Sequence, residues 1–170
     1  MLMALHEQCV GETDEWYTPP HVFEALGVTF DLDVASPGQS VVPWIPAIGC
    51  ITGNSLDQRW HGFVWMNPPF GGRNALVPWL RKFINHGNGI CLVPDRTSAP
   101  WWQAWAPAMN AILFVSPKLK FIGADGLPGL SPAQGTCLGG LGATALRALR
   151  RAEERELGTL LYPTGGGDGR

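Results

Sequence analysis

The feature that most constrains this chain is an apolar run that stops at two prolines. Residues 63–66 are Phe-Val-Trp-Met, and residues 67–70 are Asn-Pro-Pro-Phe. Four consecutive apolar residues predict a strand buried on both faces, as in a parallel sheet. Proline has no backbone N–H and a fixed φ, so Pro68 and Pro69 must take the chain out of the sheet. The sequence therefore predicts a rigid turn, hereafter the hook (residues 67–70), at the carboxyl end of a buried strand.

The hook presents groups that suit a planar heterocycle bearing an amine. The side-chain oxygen of Asn67 and the carbonyl of Pro68 can each accept one hydrogen of an –NH2 group. The ring of Phe70 can stack on the heterocycle. An ordinary strand-ending turn is the alternative, because prolines are common in loops. We favour the ligand-binding interpretation, because ligands of open α/β sheets bind at the carboxyl ends of strands.

Two motifs of the chain resemble one enzyme family. The letters N-P-P-F are similar to the [DNS]-P-P-[YFW] motif of S-adenosylmethionine-dependent amino-methyltransferases. The longer W-M-N-P-P-F, with T-P-P-H-V-F at residues 18–23, resembles the phage-type DNA N6-adenine methyltransferases, which are called Dam-like. The resemblance extends from about Trp16 to about Gly140.

This resemblance implies a reaction and its catalytic residues. A methyl group would pass from S-adenosylmethionine to N6 of an adenine in DNA, with no metal and no covalent enzyme intermediate. The base must be flipped out of the duplex, because N6 is inaccessible within the stack. The catalytic residues implied are the four residues of the hook, Asn67, Pro68, Pro69 and Phe70.

Thr18 and Pro19 are the first candidates for cofactor binding. Thr18 suits the N-cap of a helix and Pro19 suits its first turn. In the resembled family, a Thr-Pro pair at this place contacts the cofactor. A capped helix without any ligand is the alternative interpretation.

Residues 30–36 (F-D-L-D-V-A-S) contain the next candidates. Apolar and polar side chains alternate there, which predicts a strand ending in a turn. By resemblance, this segment stands where related methyltransferases have their first cofactor motif, although it lacks a G-x-G cluster. Asp33 and Ala35 are the candidates. Asp33 is preferred to Asp31 because the family's aspartate directly precedes the small residues, and either could instead face solvent.

The last cofactor candidates lie within residues 39–60, which are predicted to be irregular because of their prolines and glycines. The family typically has an acidic residue followed by Gly-Leu here, whereas this chain has Asn54-Ser55-Leu56. Asn54 can still hydrogen-bond an adenine amine. Asp57 is the substitute candidate.

Alternation of strands and helices predicts the fold class. Further buried strands are expected at residues 90–93 and 111–115, a last strand at 135–142, and helices at 74–86 and 143–156. The mixed charges of the last helix indicate a solvated face. The alternation predicts a three-layer α/β domain with a mostly parallel central sheet, and the resemblance implies that it is a Rossmann-like methyltransferase fold.

Four cations follow the predicted carboxyl ends of three strands. Because these ends share one edge of a parallel sheet, the cations should surround the hook and bind DNA phosphates. Scattered surface cations are the alternative interpretation. The candidate substrate-binding residues are Arg73, Arg96, Lys118 and Lys120.

Length, composition and charge limit the function classes. The chain has 170 residues with 45% apolar content, which predicts a single folded domain, placed at residues 13–160. Flexible tails are expected at residues 1–12 and 161–170. The net charge of −2 counts against a protein that coats DNA.

The sequence also bears on compartment and metal content. No apolar run approaches the ~20 residues of a membrane helix and no signal peptide is evident, so we expect a cytoplasmic protein, in the host cell if phage-encoded. The cysteines are widely spaced with no C-x-x-C pair, which predicts reduced, mostly buried thiols and no metal site. They are Cys9, Cys50, Cys91 and Cys137.

Two alternative functions remain open at this stage. An amino-methyltransferase could act on cytosine N4, on RNA or on a glutamine amide, and the mass of the methylated product would discriminate among these acceptors. A catalytically silent module that binds nucleic acid or nucleotides belongs to a different class. The missing glycine-rich loop and Asn54 keep that second alternative open, and binding without turnover would support it.

Overall fold

The computed structural model describes residues 16–72, 74–129 and 134–164. Within these ranges, seven strands form one sheet and four α-helices cover it. The strands are β1 (Phe30–Asp33), β2 (Ala47–Cys50), β3 (Val64–Met66), β4 (Gly89–Pro94), β5 (Ala111–Val115), β6 (Thr136–Leu141) and β7 (Gly158–Leu161). The helices are α1 (Pro20–Leu26), α2 (Leu76–His86), α3 (Pro100–Trp105) and α4 (Ala143–Glu154), and a short 3-10 helix (Ala106–Ala108) follows α3.

The sheet is mixed, with the strand order β2-β1-β3-β4-β6-β5-β7. The three pairs among β2, β1, β3 and β4 are parallel, whereas β4–β6, β5–β6 and β5–β7 are antiparallel. The expectation of a mostly parallel sheet is therefore not confirmed. A strand buried on both faces has the same apolar sequence in either direction, so the direction of β6 could not be read from its residues.

Helices pack on both faces of the sheet, so the α/β arrangement has three layers. One core cluster joins α1 and α4 to Trp65, Ile90 and Leu92 of the central strands. The other cluster joins α2 and α3 to Val64 and Cys91. Successive residues of β3 and β4 thus point to opposite faces, and both faces are buried, which is why the sequence of these strands is continuously apolar.

The glycines of β6 make room for large side chains. A Cβ atom at Gly139 would lie 2.1 Å from Cζ2 of Trp105, and one at Gly140 would lie 2.6 Å from Cδ1 of Leu149. The predicted last strand is confirmed as β6. Its glycines are required by close packing from α3 on one face and α4 on the other.

The C-terminal end of α1 packs against α4, and we call this contact the seam. Helix α1 ends at Gly27, whose φ of 58° is the left-handed conformation that favours glycine. Nη1 of Arg151 donates to the carbonyls of Leu26 (2.9 Å) and Gly27 (2.8 Å), and Nη1 of Arg155 donates to the carbonyl of Glu24. The interpretation of the α4 charges as a solvated face agrees with the exposure of Arg155 but not with the partial burial of Arg151, and both arginines donate to carbonyls at the end of another helix.

Several element predictions are confirmed and two strands were missed. Helices predicted at residues 74–86 and 143–156 correspond to α2 and α4. Strand β2 lies inside residues 39–60, which were predicted to be irregular, and β7 was not predicted. Both are sheet edges with partly exposed residues, so neither has the continuous apolar run that identified the inner strands.

The described cysteines are free thiols. Cys91 and Cys137 are buried and Cys50 is partly buried. Burial raises the pKa of Cys137 to about 12 and raises that of Cys91 further, so both thiols stay protonated at neutral pH. No helix in the described ranges has the length and apolar character needed to span a membrane.

Candidate functional site

The candidate site lies where the strand order of the sheet reverses. The chain passes from β1 to β2 on one side and then to β3 on the other side of β1. Because β1 and β3 are parallel neighbours, with Asp33 opposite Trp65, their carboxyl ends lie side by side. Open α/β sheets bind ligands in the crevice outside such a reversal. We call this edge, with Thr18, Asp33 and the hook, the crevice.

Asp33 ends β1 with its carboxylate almost completely buried, since the residue is only 3% exposed. The carboxylate accepts the backbone N–H of Ala35 at 3.2 Å and a hydrogen bond from the hydroxyl of Ser36. Burial nevertheless raises the pKa of Asp33 to about 6, because these two bonds only partly offset desolvation. The neighbouring Asp31 differs, since its Oδ2 accepts the backbone N–H of Phe63 at 2.6 Å and so supports the sheet.

Thr18 lies fully buried just before α1. The prediction that Thr18 caps α1 is wrong, because the N-cap is Pro19 and Pro20 occupies the first turn. The Thr18 carbonyl accepts the indole N–H of Trp44 at 2.9 Å. Its Oγ1, however, has no hydrogen-bond partner among the described residues. A buried hydroxyl without a partner costs about 1–3 kcal/mol, and a ligand group that bonded to it would recover this cost.

The hook follows β3 directly, as predicted from its prolines. Asn67 is partly buried and its Nδ2 donates to the carbonyl of Trp16 at 3.1 Å. Pro68 is buried, Pro69 is exposed, and Phe70 is half-buried between the two core clusters. The hook therefore packs against both layers of the core through Phe70, while Asn67 stays partly exposed at the end of β3.

Asn54 and Asp57 are the two ends of one exposed turn after β2. The Asp57 N–H donates to the Asn54 carbonyl at 3.0 Å, and Asn54 has a φ of 51°. Asparagine tolerates this left-handed conformation better than most residues. Both side chains are exposed, so the geometry does not favour either of them as the cofactor contact.

Lys82 holds this turn in place, and sequence reasoning missed it. Its ammonium group donates to the carbonyls of Ser55 (2.9 Å), Leu56 (2.8 Å) and Gln58, and it lies 5.0 Å from the ring centroid of Trp60. The three donors of Lys82 are thereby all used. A single lysine on α2 carries no sequence signal of such a role, because its partners are backbone atoms.

Comparison with models of protein families decides the relationship. Residues 7–131 match the model of the DNA N-6-adenine-methyltransferase (Dam) family. The chain belongs to the Dam family. The resemblance carried by N-P-P-F is thus confirmed at the level of the family, whose members methylate adenine in DNA. Comparison with curated proteins gave no match, and comparison with solved structures gave none either.

Three of the four candidate DNA-binding cations of this Dam-family chain are described, and each follows the carboxyl end of a strand. Arg96 follows β4, and Lys118 and Lys120 follow β5; all three are exposed. Since β4 and β5 are both antiparallel to β6, they run in the same direction as β3, and their carboxyl ends share the edge of the crevice. Nε of Arg96 donates to Oε1 of Gln134 at 2.7 Å. The candidate Arg73 lies outside the described residues.

Two further features define the described surface. Concavities border α1 near Trp44 and near Arg155, away from the hook. The crevice is chosen as the candidate site for its chemistry, because the buried carboxylate of Asp33 and the unpartnered hydroxyl of Thr18 lie there. In the described ranges, no three His, Cys, Asp or Glu residues are grouped so as to hold a metal ion.

Proposed function

We propose that this chain transfers the methyl group of S-adenosylmethionine to N6 of an adenine flipped out of DNA, at a specific DNA site. Membership of the Dam family supports adenine as the acceptor. The observation that supports the residue assignment is that Asp33 ends β1 and Asn67 follows β3 directly, so both lie at the carboxyl ends of neighbouring parallel strands. The α/β sheet with helices on both faces and a reversal between β1 and β3 supports a Rossmann-like methyltransferase fold of the phage type.

The crevice fits the cofactor chemically. The sulfonium and ammonium groups of S-adenosylmethionine are cationic, and its ribose offers hydroxyl donors. The buried carboxylate of Asp33 accepts such groups, and a bound cation lowers its raised pKa again. A hydrogen-bonding group of the cofactor would give Oγ1 of Thr18 the partner that the described protein residues do not provide. We assign cofactor contact to Thr18, Pro19, Asp33 and Ala35, with Asn54 or Asp57 on the turn after β2.

The hook acts on the amine. The bound cofactor supplies an electrophilic methyl group on a sulfonium leaving group. The adenine amine is a poor nucleophile, because its lone pair is delocalised into the ring. Oδ1 of Asn67 and the carbonyl of Pro68 accept its two hydrogens and stabilise the positive charge that develops on nitrogen. Phe70 stacks on the base, Pro68 and Pro69 keep the hook rigid, and a proton leaves the methylated amine afterwards to water.

The acidic chain meets DNA through a local positive edge. Arg96, Lys118 and Lys120 follow β4 and β5, whose carboxyl ends lie on one side of the crevice along the same edge of the sheet, and Arg73 follows the hook in sequence. Phosphate contacts from these side chains would fix the duplex over the crevice without any general attraction from the net charge of −2.

The decisive experiment supplies methyl-labelled S-adenosylmethionine and unmodified DNA, followed by digestion to nucleosides and mass analysis. We expect label in N6-methyl-2′-deoxyadenosine and in no other nucleoside. Label in N4-methylcytosine, in RNA or in protein would identify a different methyl acceptor, and the chain would still be an amino-methyltransferase. DNA and cofactor binding without any labelled product would support the silent binding module instead.

A further inference from the structure

One hydrogen bond determines which end of the Asn67 side chain faces the crevice. The contact joins the Asn67 carboxamide to the backbone carbonyl of Trp16 at 3.1 Å. A carbonyl can only accept, so the amide nitrogen is the atom that must face Trp16. The oxygen, Oδ1, is left pointing elsewhere and meets no donor among the described residues. The segment before α1 thus selects the orientation in which Asn67 is an acceptor.

The position of Trp16 depends in turn on the loop after β5. Tyr17 and Ile122 exchange two backbone hydrogen bonds, of 2.9 and 2.8 Å, and form an isolated antiparallel bridge. The Trp16 ring lies against Gly129, where an added Cβ would be 2.5 Å from the ring atom Cζ3. Gly129 is itself held by a 2.7 Å bond from its N–H to the Phe121 carbonyl. Trp16 is therefore seated, although 41% of its surface is exposed.

We propose that Trp16 is a positioning residue for the methyl transfer, whose carbonyl holds the Asn67 carboxamide with Oδ1 toward the target amine, and that the seat of its ring on Gly129 maintains this contact. The proposal rests on the proposed function for its catalytic meaning. Trp16 itself touches neither base nor cofactor in this scheme; it acts through Asn67.

The contact explains why an amide is required at this position. The motif that the hook resembles also admits aspartate, which accepts hydrogen bonds at both oxygens. In this chain, an aspartate would place a carboxylate oxygen against the Trp16 carbonyl, and two acceptors repel. Asn67→Asp should therefore lower the methyl-transfer rate at least tenfold. If the residue only had to accept a hydrogen bond from the adenine amine, the aspartate, which is the stronger acceptor, would keep the parental rate.

The seat is tested by Gly129→Ala, whose new methyl group meets the Trp16 ring. The shifted ring should displace the Trp16 carbonyl and with it the Asn67 carboxamide. We expect the single-turnover methylation rate at saturating cofactor to fall roughly three- to tenfold, and cofactor affinity to stay within twofold of the parent. The matched control is Leu127→Ala, an exposed residue of the same loop, which should change neither quantity. Trp16→Phe removes the ring atom Cζ3 that the new methyl group meets. In the double variant with Gly129→Ala, it should restore most of the missing rate because the clash with the ring is removed, whereas two independent effects would add.

A second readout does not depend on activity. In 15N-labelled protein, the side-chain amide resonance of Asn67 is identified by its absence from Asn67→Asp. We expect Gly129→Ala to move this resonance toward the solvent-exposed position and Leu127→Ala to leave it in place. An unmoved resonance, or Asn67→Asp methylating at the parental rate, would overturn the proposal. If the parent methylates nothing, the proposed function fails, and the resonance still decides whether Trp16 positions Asn67.

Discussion

Polar groups are treated in opposite ways in the crevice and in the seam between α1 and α4. In the seam, Arg151 and Arg155 donate to backbone carbonyls at the end of α1, so orphan carbonyls of a helix end are satisfied. In the crevice, Thr18 retains a buried Oγ1 without a partner in the described residues, and Asp33 retains a buried carboxylate with a raised pKa. In the seam the protein's own side chains supply the hydrogen bonds, whereas in the crevice a ligand could supply them.

This difference separates structural polar residues from functional ones. A satisfied polar group stabilises the fold, and its removal should lower the free energy of unfolding. An unsatisfied buried group costs stability, which is characteristic of sites that a ligand completes. Substitutions of Thr18 and Asp33 in the crevice should therefore reduce function while stability is kept or raised, and substitutions in the seam should do the reverse.

The largest effect is expected from Asn67→Ala in the crevice. It removes an acceptor that acts as charge develops on the amine, so the single-turnover methylation rate should fall on the order of a hundred- to a thousandfold. Cofactor affinity, measured by calorimetry, should stay nearly unchanged. Asn85→Ala, at an exposed asparagine of α2, is the control. A folded Asn67→Ala protein with the parental rate would make the hook a structural turn.

Phe70 should separate base binding from the rest of the hook. Phe70→Ala should weaken productive DNA binding by ~1–3 kcal/mol because stacking is removed, and it should lower turnover as well. Phe70→Trp should recover part of this binding, because any aromatic face can stack on a base. DNA-binding titrations and methylation rates check this pair, and equally weak binding in both variants would contradict the stacking role.

Asp33→Asn tests the cost of the crevice as a function of pH. The folded pKa of about 6 exceeds the ordinary aspartate value of 3.8, so between these values the folded protein binds more protons than the unfolded one. By linkage, this carboxyl lowers stability as pH rises from about 4 to about 6, and the full penalty of roughly 3 kcal/mol applies above that window. Asn67 and the rest of the crevice stay unchanged in this variant.

We therefore expect Asp33→Asn to unfold at higher denaturant than the parent at pH 8 and at a similar concentration at pH 4. Its affinity for S-adenosylmethionine should fall, and it should not show the increase that the parent shows as pH rises through about 6. Chemical denaturation and calorimetry across pH 4–8 measure both. A variant less stable than the parent at pH 8 would show that the Asp33 carboxylate supports the fold.

Arg151→Met should have the opposite signature in the seam. It keeps the length of the side chain but removes the donors to Leu26 and Gly27, which should lower the free energy of unfolding by about 1–3 kcal/mol. The methylation rate at low temperature should remain within twofold of the parent. Arg147→Met is the control, because exposed Arg147 bonds only to Oγ1 of Thr144 among the described residues. A reduced rate with unchanged stability would contradict the comparison.

The smallest effect is expected from the cations at the edge of the crevice. Replacing Arg96 and Lys118 by alanine should flatten the slope of log affinity for DNA against log salt by nearly one for each phosphate that is no longer neutralised. Arg147→Ala on α4 should leave the slope as it is. An unchanged slope in the double variant would place DNA on another surface.

The sequence by itself determined the features that neighbouring residues specify. The prolines after Met66 end β3 and build the hook, because a missing N–H and a fixed φ are local properties. Continuous apolar runs identified the inner strands β4 and β5, and the glycines of residues 135–142 did not conceal β6. The family relationship was also visible, since N-P-P-F and T-P-P-H-V-F are contiguous in sequence.

Only the tertiary structure decided what distant residues do to one another. The bond from Asn67 to Trp16 spans 51 positions, and that from Arg151 to Leu26 spans 125. Both use backbone carbonyls, which every residue carries and no sequence pattern distinguishes. The direction of β6 was undetermined for a similar reason, because burial on both faces is independent of strand polarity. The lack of a hydrogen-bond partner for the Thr18 hydroxyl was also visible only in the structure. Helix α1 begins at Pro20 with Pro19 as its N-cap, so Thr18 lies outside the cap.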